Sequence, residues 1–140
     1  MTNLTASRAD GRQEGILVDV PLAASTKVFA GSNVNYNTAG FAKKSADTAS
    51  EVFAGVAMET IDNTGSAGDK VVRVWKEGVF DMNCASATQA WVGVDVYAVD
   101  DNLVALAATT TNDVKVGRVV QFNSATSVRV KNLIGLIGRR

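Results

Sequence analysis

The chain has no histidine, one cysteine, one proline and no surplus of either charge, and each absence removes a class of explanation. Without histidine the commonest general base and the commonest metal ligand are gone, so Ser-His-Asp triads, zincin helices and zinc-activated water are excluded. The lone Cys84 rules out an internal disulfide and any multi-thiolate metal pattern. It reads as a small buried hydrophobe in a chain that folds under reducing conditions. Lysine plus arginine number 14 and aspartate plus glutamate 14, so no net field draws the chain onto nucleic acid or an anionic membrane, and neither is expected as a partner. Long apolar runs are also lacking. Leu133-Ile134-Gly135-Leu136-Ile137 falls far short of the roughly 20 residues of a membrane span. Met1 to Gln13 is polar and mixed in charge, which reads as an arm and not as a secretory signal.

What is present is Ala, Val, Gly, Asn, Thr and Ser, with aromatics at only 6% of 140 residues. A chain of this length holds a core without metal or disulfide help. The expectation is a flexible, extended N-terminal arm over 1–14 and a single β domain over 15–140. Short β-branched or alternating runs between turn residues predict strands at Ile16–Val20, Lys27–Ala30, Asn33–Asn37, Val52–Glu59, Lys70–Lys76, Gly78–Met82, Ala90–Val92, Asp95–Val99, Leu103–Ala107, Lys115–Phe122 and Ser127–Lys131. In Val72-Arg73-Val74-Trp75-Lys76 and Ser127-Val128-Arg129-Val130-Lys131 the valines take one face and mostly cations the other, with Trp75 out of phase. Asn37-Thr38-Ala39-Gly40, Asp62-Asn63-Thr64-Gly65 and Asp100-Asp101-Asn102 read as hairpin turns. Ala42–Ser50 is the best helical candidate, but it has no convincing apolar stripe and reads equally as a crossing loop.

The chain also repeats itself. Gly31-Ser32-Asn33-Val34 answers Gly93-Val94-Asp95-Val96, Phe41 answers Leu103, and Gly55-Val56-Ala57 answers Gly117-Arg118-Val119, all at one offset. The triplets at Val72 and Val128 correspond after an insertion in the first half that includes Thr64-Gly65-Ser66-Ala67-Gly68, expected as a mobile hairpin tip. Two pseudo-repeated β-hairpin halves imply an all-β fold, a small β-barrel or β-sandwich, because each half alone would leave an unpaired edge.

No catalytic, cofactor-binding or metal site emerges. Asp81, Asp95, Asp100 and Asp101 could pair as acid and base, but turn and edge roles fit them better. Gly65-Ser66-Ala67-Gly68-Asp69-Lys70 lacks the spacing of a phosphate loop, and Asp69 would repel phosphate. Asp100-Asp101-Asn102 and Asn33-Val34-Asn35 lack the Gly and Glu of a calcium loop. Trp75 and Trp91 could stack sugars, yet core or subunit anchors fit a Val-rich β domain better. Arg8 and Arg12 in the arm, and Arg139 and Arg140 after an apolar stretch, could reach a neighbouring surface.

In the order of its short motifs the chain resembles the capsid decoration, or cement, proteins of tailed bacteriophages. The carrying segments are Lys27 to Val34, Phe53-Ala54-Gly55-Val56-Ala57-Met58-Glu59, Lys70 to Phe80, Val92-Gly93-Val94-Asp95-Val96-Tyr97, Lys115 to Val120 and Ser127-Val128-Arg129-Val130, spanning about Gly15 to Lys131. The resemblance implies a non-enzymatic virion protein without cofactors, made in the host bacterial cytoplasm. It would sit on the outer capsid surface, bind the major capsid protein, stabilise the shell and assemble as a homo-oligomer, with a trimer favoured. The contacts expected with the shell or a neighbouring copy are Leu4, Arg8, Arg12, Trp91, Arg139 and Arg140. A head-fibre base, a tail-tube subunit or a carbohydrate-binding β module are the alternatives.

Overall fold

The computed structural model describes residues 17–132. They form an all-β fold of twelve strands. In the first half these are β1 (Leu17–Pro21), β2 (Thr26–Val28), β3 (Asn33–Tyr36), β4 (Ala42–Lys44), β5 (Val52–Ala57), β6 (Ile61–Asn63) and β7 (Val71–Trp75). In the second they are β8 (Val79–Cys84), β9 (Asp95–Ala98), β10 (Leu103–Ala105), β11 (Lys115–Ser124) and β12 (Ser127–Asn132).

The repeat read from the sequence is a repeat of topology. The first half is a sheet in the order β1-β7-β5-β3-β4, and the second is a closed barrel in which β8, β12, β11, β9 and β10 follow in the matching order. The barrel closes through parallel pairing of β10 with β8, where Val104 faces Cys84. At the corresponding place the first sheet has one parallel bridge, Leu22 to Ala42. The cross-strand ion pairs repeat as well. Arg73 meets Asp19 at 2.9 Å on β7 and β1, and Arg129 meets Asp81 at 2.8 Å on β12 and β8.

Two cores follow from the strand period. Val20, Leu22, Val28, Val34, Ala42, Ala54, Ala57, Val72 and Val74 form one, which β2 and β6 help to enclose. Val96, Ala98, Val104, Val116, Val119, Val128 and Val130 lie in the other. Phe53, Val56 and Trp75 of the first half also join that second core, Trp75 standing 6.4 Å from Phe80.

Strand β5 serves both cores because of one glycine. A strict period of two would put Ala54 with Val56, but the register shifts opposite Val34 and Asn35, and Gly55 takes φ +146°. Phe53 and Val56 therefore share the second core, and Ala54 and Ala57 share the first. A Cβ on Gly55 would stand 2.5 Å from the Trp75 carbonyl oxygen. Gly117, its counterpart on β11, also sits beside a register shift and leaves no room for a Cβ against the Lys131 carbonyl.

Four local expectations are corrected. Ala42–Lys44 is a strand paired with β3, neither helix nor loop, with Ala42 fully buried, Lys43 half-buried in an ion pair with Glu51 and Lys44 exposed. Asp62 and Asn63, read as the start of a turn, belong to strand β6. Ala90–Val92, read as a strand, lies mostly in the 3-10 turn Gln89–Trp91, which ends where Gly93 takes φ +87°. The segment after β6 is not a hairpin tip, since β6 pairs with β2 and β7 pairs with β1 and β5. Buried Asn63 pins this segment, its Nδ2 donating to the carbonyls of Ala23 at 3.0 Å and Ser66 at 3.1 Å and its Oδ1 accepting from Gly65 N–H.

Candidate interaction surfaces

Of the six residues expected to make contacts, Leu4, Arg8, Arg12, Arg139 and Arg140 lie outside the described residues. Trp91 lies inside them. It is 9% exposed, held in the 3-10 turn by its N–H on the Thr88 carbonyl and packed into the second core. Trp75 is half-buried against the same core, so the two tryptophans present no pair of exposed rings on which a sugar could stack.

Asp19, Asp81 and Asp95 are each held by cationic partners. On the Asp95 carboxyl, burial works upward but is outweighed by hydrogen bonds and charge from Arg118, at 2.9 Å, and Lys115, at 3.0 Å, which leave it below the usual range. Asp81 is lowered by hydrogen bonds from Arg129 and Asn123, and Asp19 by the one from Arg73. A general acid needs the opposite shift. Asp100 caps its turn, Oδ1 accepting from the N–H groups of Asn102 and Leu103 at 2.8 Å, and the Asp101 carbonyl accepts from Asn33 N–H at 2.9 Å across the two halves. Burial pushes the Cys84 thiol up, away from the thiolate of a nucleophile.

One cleft of ≈ 260 Å³ is lined by Phe29, Ala30, Gly31, Ser32, Asp101 and Asn102. A polar cleft of ≈ 130 Å³ lies where the halves meet, lined by Gly31, Asn33, Asp81, Asn83, Asp101 and Asn102 among others. Among the described residues no group of three or more His, Cys, Asp or Glu could hold a metal ion, and no helix is long and apolar enough to cross a membrane.

The surface differs between the halves where the repeat would make it equal. The outward side of β3, β5 and β7 carries Asn33, Phe53, Val56 and Trp75, turned to the second half. The matching side of β9, β11 and β12 carries Asp95, Lys115, Arg118 and Lys131, an ion-paired and solvated face.

The family model for the phage cement protein matches residues 12–134. The chain belongs to the phage cement protein family. No curated protein and no solved structure matches it. Membership makes this a structural protein of the phage virion, associated with the capsid. The match spans both repeats. For a cement protein the informative features are outward-facing ones, and the residues that reading for chemistry passed over are Phe29, Met58, Val92, Val94 and Val120. Val120, out of phase with buried Val119 on β11, is the one of these that strand periodicity could have flagged.

Proposed function

We propose that the chain binds the outer surface of the phage capsid shell, contacts the major capsid protein there and stabilises the assembled particle. The observation that carries this reading is the family match over residues 12–134. A protein that binds the assembled shell but not its dispersed subunits raises the shell's stability by mass action, needing many equal copies and no active site. The finer parts of the reading are a homotrimer built on one β domain, and an N-terminal arm that grips the shell through Leu4, Arg8 and Arg12.

Co-sedimentation with expanded shells stripped of decoration, beside unexpanded procapsids, tests the central step. Saturable binding to the expanded shells is the expected result, and absence of binding to both rejects the proposal. Removing Thr2 to Gln13 is expected to weaken that binding, and unchanged binding would reject the role given to the arm.

A further inference from the structure

One buried cluster in the first half brings an amine, an amide and a carboxylate together. Asn35 on β3 and Lys43 on β4 are cross-strand partners, and the segment 45–51 folds back onto Asn35. Lys43 Nζ stands 3.0 Å from Glu51 Oε1 and 3.1 Å from Oε2, and Asn35 Nδ2 donates to the same Oε1 at 3.4 Å. Asn35 Nδ2 also donates to the Ala46 carbonyl at 3.2 Å, and Asn35 Oδ1 accepts from the Ser45 hydroxyl at 2.9 Å. Asn35 is fully buried and Ser45 nearly so, while the side chains of Glu51 and Lys43 are 8% and 29% exposed.

The duplicated scaffold does not require this group. At the offset that relates the two halves, Asn35 corresponds to Tyr97, Lys43 to Ala105, Ser45 to Ala107 and Glu51 to Asp113. The strand register agrees, since Ala105 pairs with Tyr97 as Lys43 pairs with Asn35. The second half therefore builds the same strand pair with neither the amine nor the amide. Stability alone does not favour the cluster either, because a carboxylate and a cation withdrawn from water pay a desolvation cost that their attraction often fails to repay.

We infer that Lys43 and Asn35 join in an intramolecular isopeptide bond, with Glu51 carrying the protons. The lysine amine is a nucleophile once it gives up a proton, and the Glu51 carboxylate is placed to accept it. The free amine attacks Asn35 Cγ, and the Ser45 hydroxyl stabilises the negative charge that develops on Oδ1. Glu51 returns its proton to Nδ2 and takes a second from Nζ, the Cγ–Nδ2 bond breaks, and ammonia leaves with the second proton as ammonium. The new Nζ–Cγ bond is an amide, so nothing is oxidised or reduced and Glu51 ends as it began. Holding the three groups against one another supplies the effective concentration that free lysine and asparagine lack. The ring ties β4, the short strand at the end of the first sheet, to β3, in a half closed by the single parallel bridge of Leu22 to Ala42 and in a chain whose lone cysteine allows no internal disulfide. The bond is independent of any binding to the capsid.

Mass spectrometry of the purified full-length chain tests this. The intact mass is expected to fall short of the sequence by one ammonia. In a tryptic digest the loss should lie in the peptide from Val28 to Lys44, uncut after Lys43, with no fragment ions from breaks between Asn35 and Lys43 because that stretch is a ring. Lys43→Arg keeps the charge without the nucleophile, and Glu51→Gln keeps the shape without the base, so both should return the full mass. A parent chain of full mass overturns the inference, whether or not the variants fold. An ammonia loss that persists in Lys43→Arg overturns it as well, in favour of an asparagine cyclised on its own backbone. An equally linked Glu51→Gln variant overturns the role given to Glu51.

Discussion

The first sheet and the second barrel share strand order, a cross-strand Asp–Arg pair and a glycine bulge, yet they use one face in opposite ways. On the first, Asn33, Phe53, Val56 and Trp75 turn toward the second half. On the second, Asp95, Lys115, Arg118 and Lys131 remain with solvent and with each other. A repeat can therefore keep its backbone while the side chains of one face decide whether it becomes an internal joint or a surface. The inward-facing valines, which close each unit on itself, are shared. The outward positions carry the difference.

The comparison breaks most sharply at the glycines. Gly55→Ala must hold a side chain at φ +146° against a backbone carbonyl, and a loss of about 3 kcal/mol or more is expected by denaturant unfolding. Gly117→Ala meets the clash alone and should lose about 1–3 kcal/mol. Equal, small losses at both would show that the bulges are not needed.

Phe53 and Lys115 occupy equivalent places on the contrasting faces. Phe53→Ala removes a ring that is 1% exposed and packed in the second core, and about 3–5 kcal/mol should be lost. Lys115→Ala removes one arm of a partly exposed pair and should cost about 0.2–1 kcal/mol. Similar costs at the two sites would contradict the division of the faces.

A smaller effect is expected at the loop contact between the halves. Asp47 accepts from Thr111 N–H and Asn112 N–H, both at 2.8 Å, and its carboxyl is lowered from 3.8 by those backbone hydrogen bonds. A lowered folded-state value means that the contribution is complete above 3.8 and fades as the pH falls through the folded value. Asp47→Asn should lower the melting temperature slightly at pH 7 and flatten its fall below pH 4, relative to the parent chain. Melting curves that keep the same acid slope would remove Asp47 from the joint.

The smallest effect separates the repeated ion pairs. Asp19→Asn and Asp81→Asn each break an exposed pair with arginine, and neither should move the melting temperature beyond the scatter of replicate measurements. A large change at one site alone would show that the two pairs are not equivalent.

Much of this architecture was legible before any coordinates. The glycines and valines at a constant offset marked the repeat because backbone geometry and core packing constrain those residue types. Trp75 broke phase with Val72 and Val74, but that it faces a second core follows only from how the halves pack. Strands β4 and β6 escaped because each spans three residues, one fully inward, too short for a periodicity. Trp91 misled because Ala90–Val92 has strand composition while Gly93 ends a 3-10 turn there.

The measurement that bears most directly on cementing is scanning calorimetry of expanded shells with and without saturating protein. A shell transition that moves to higher temperature in proportion to occupancy, and stays put with a variant that no longer binds, is the predicted result. A transition unmoved at full occupancy would show that the protein decorates the particle without holding it together.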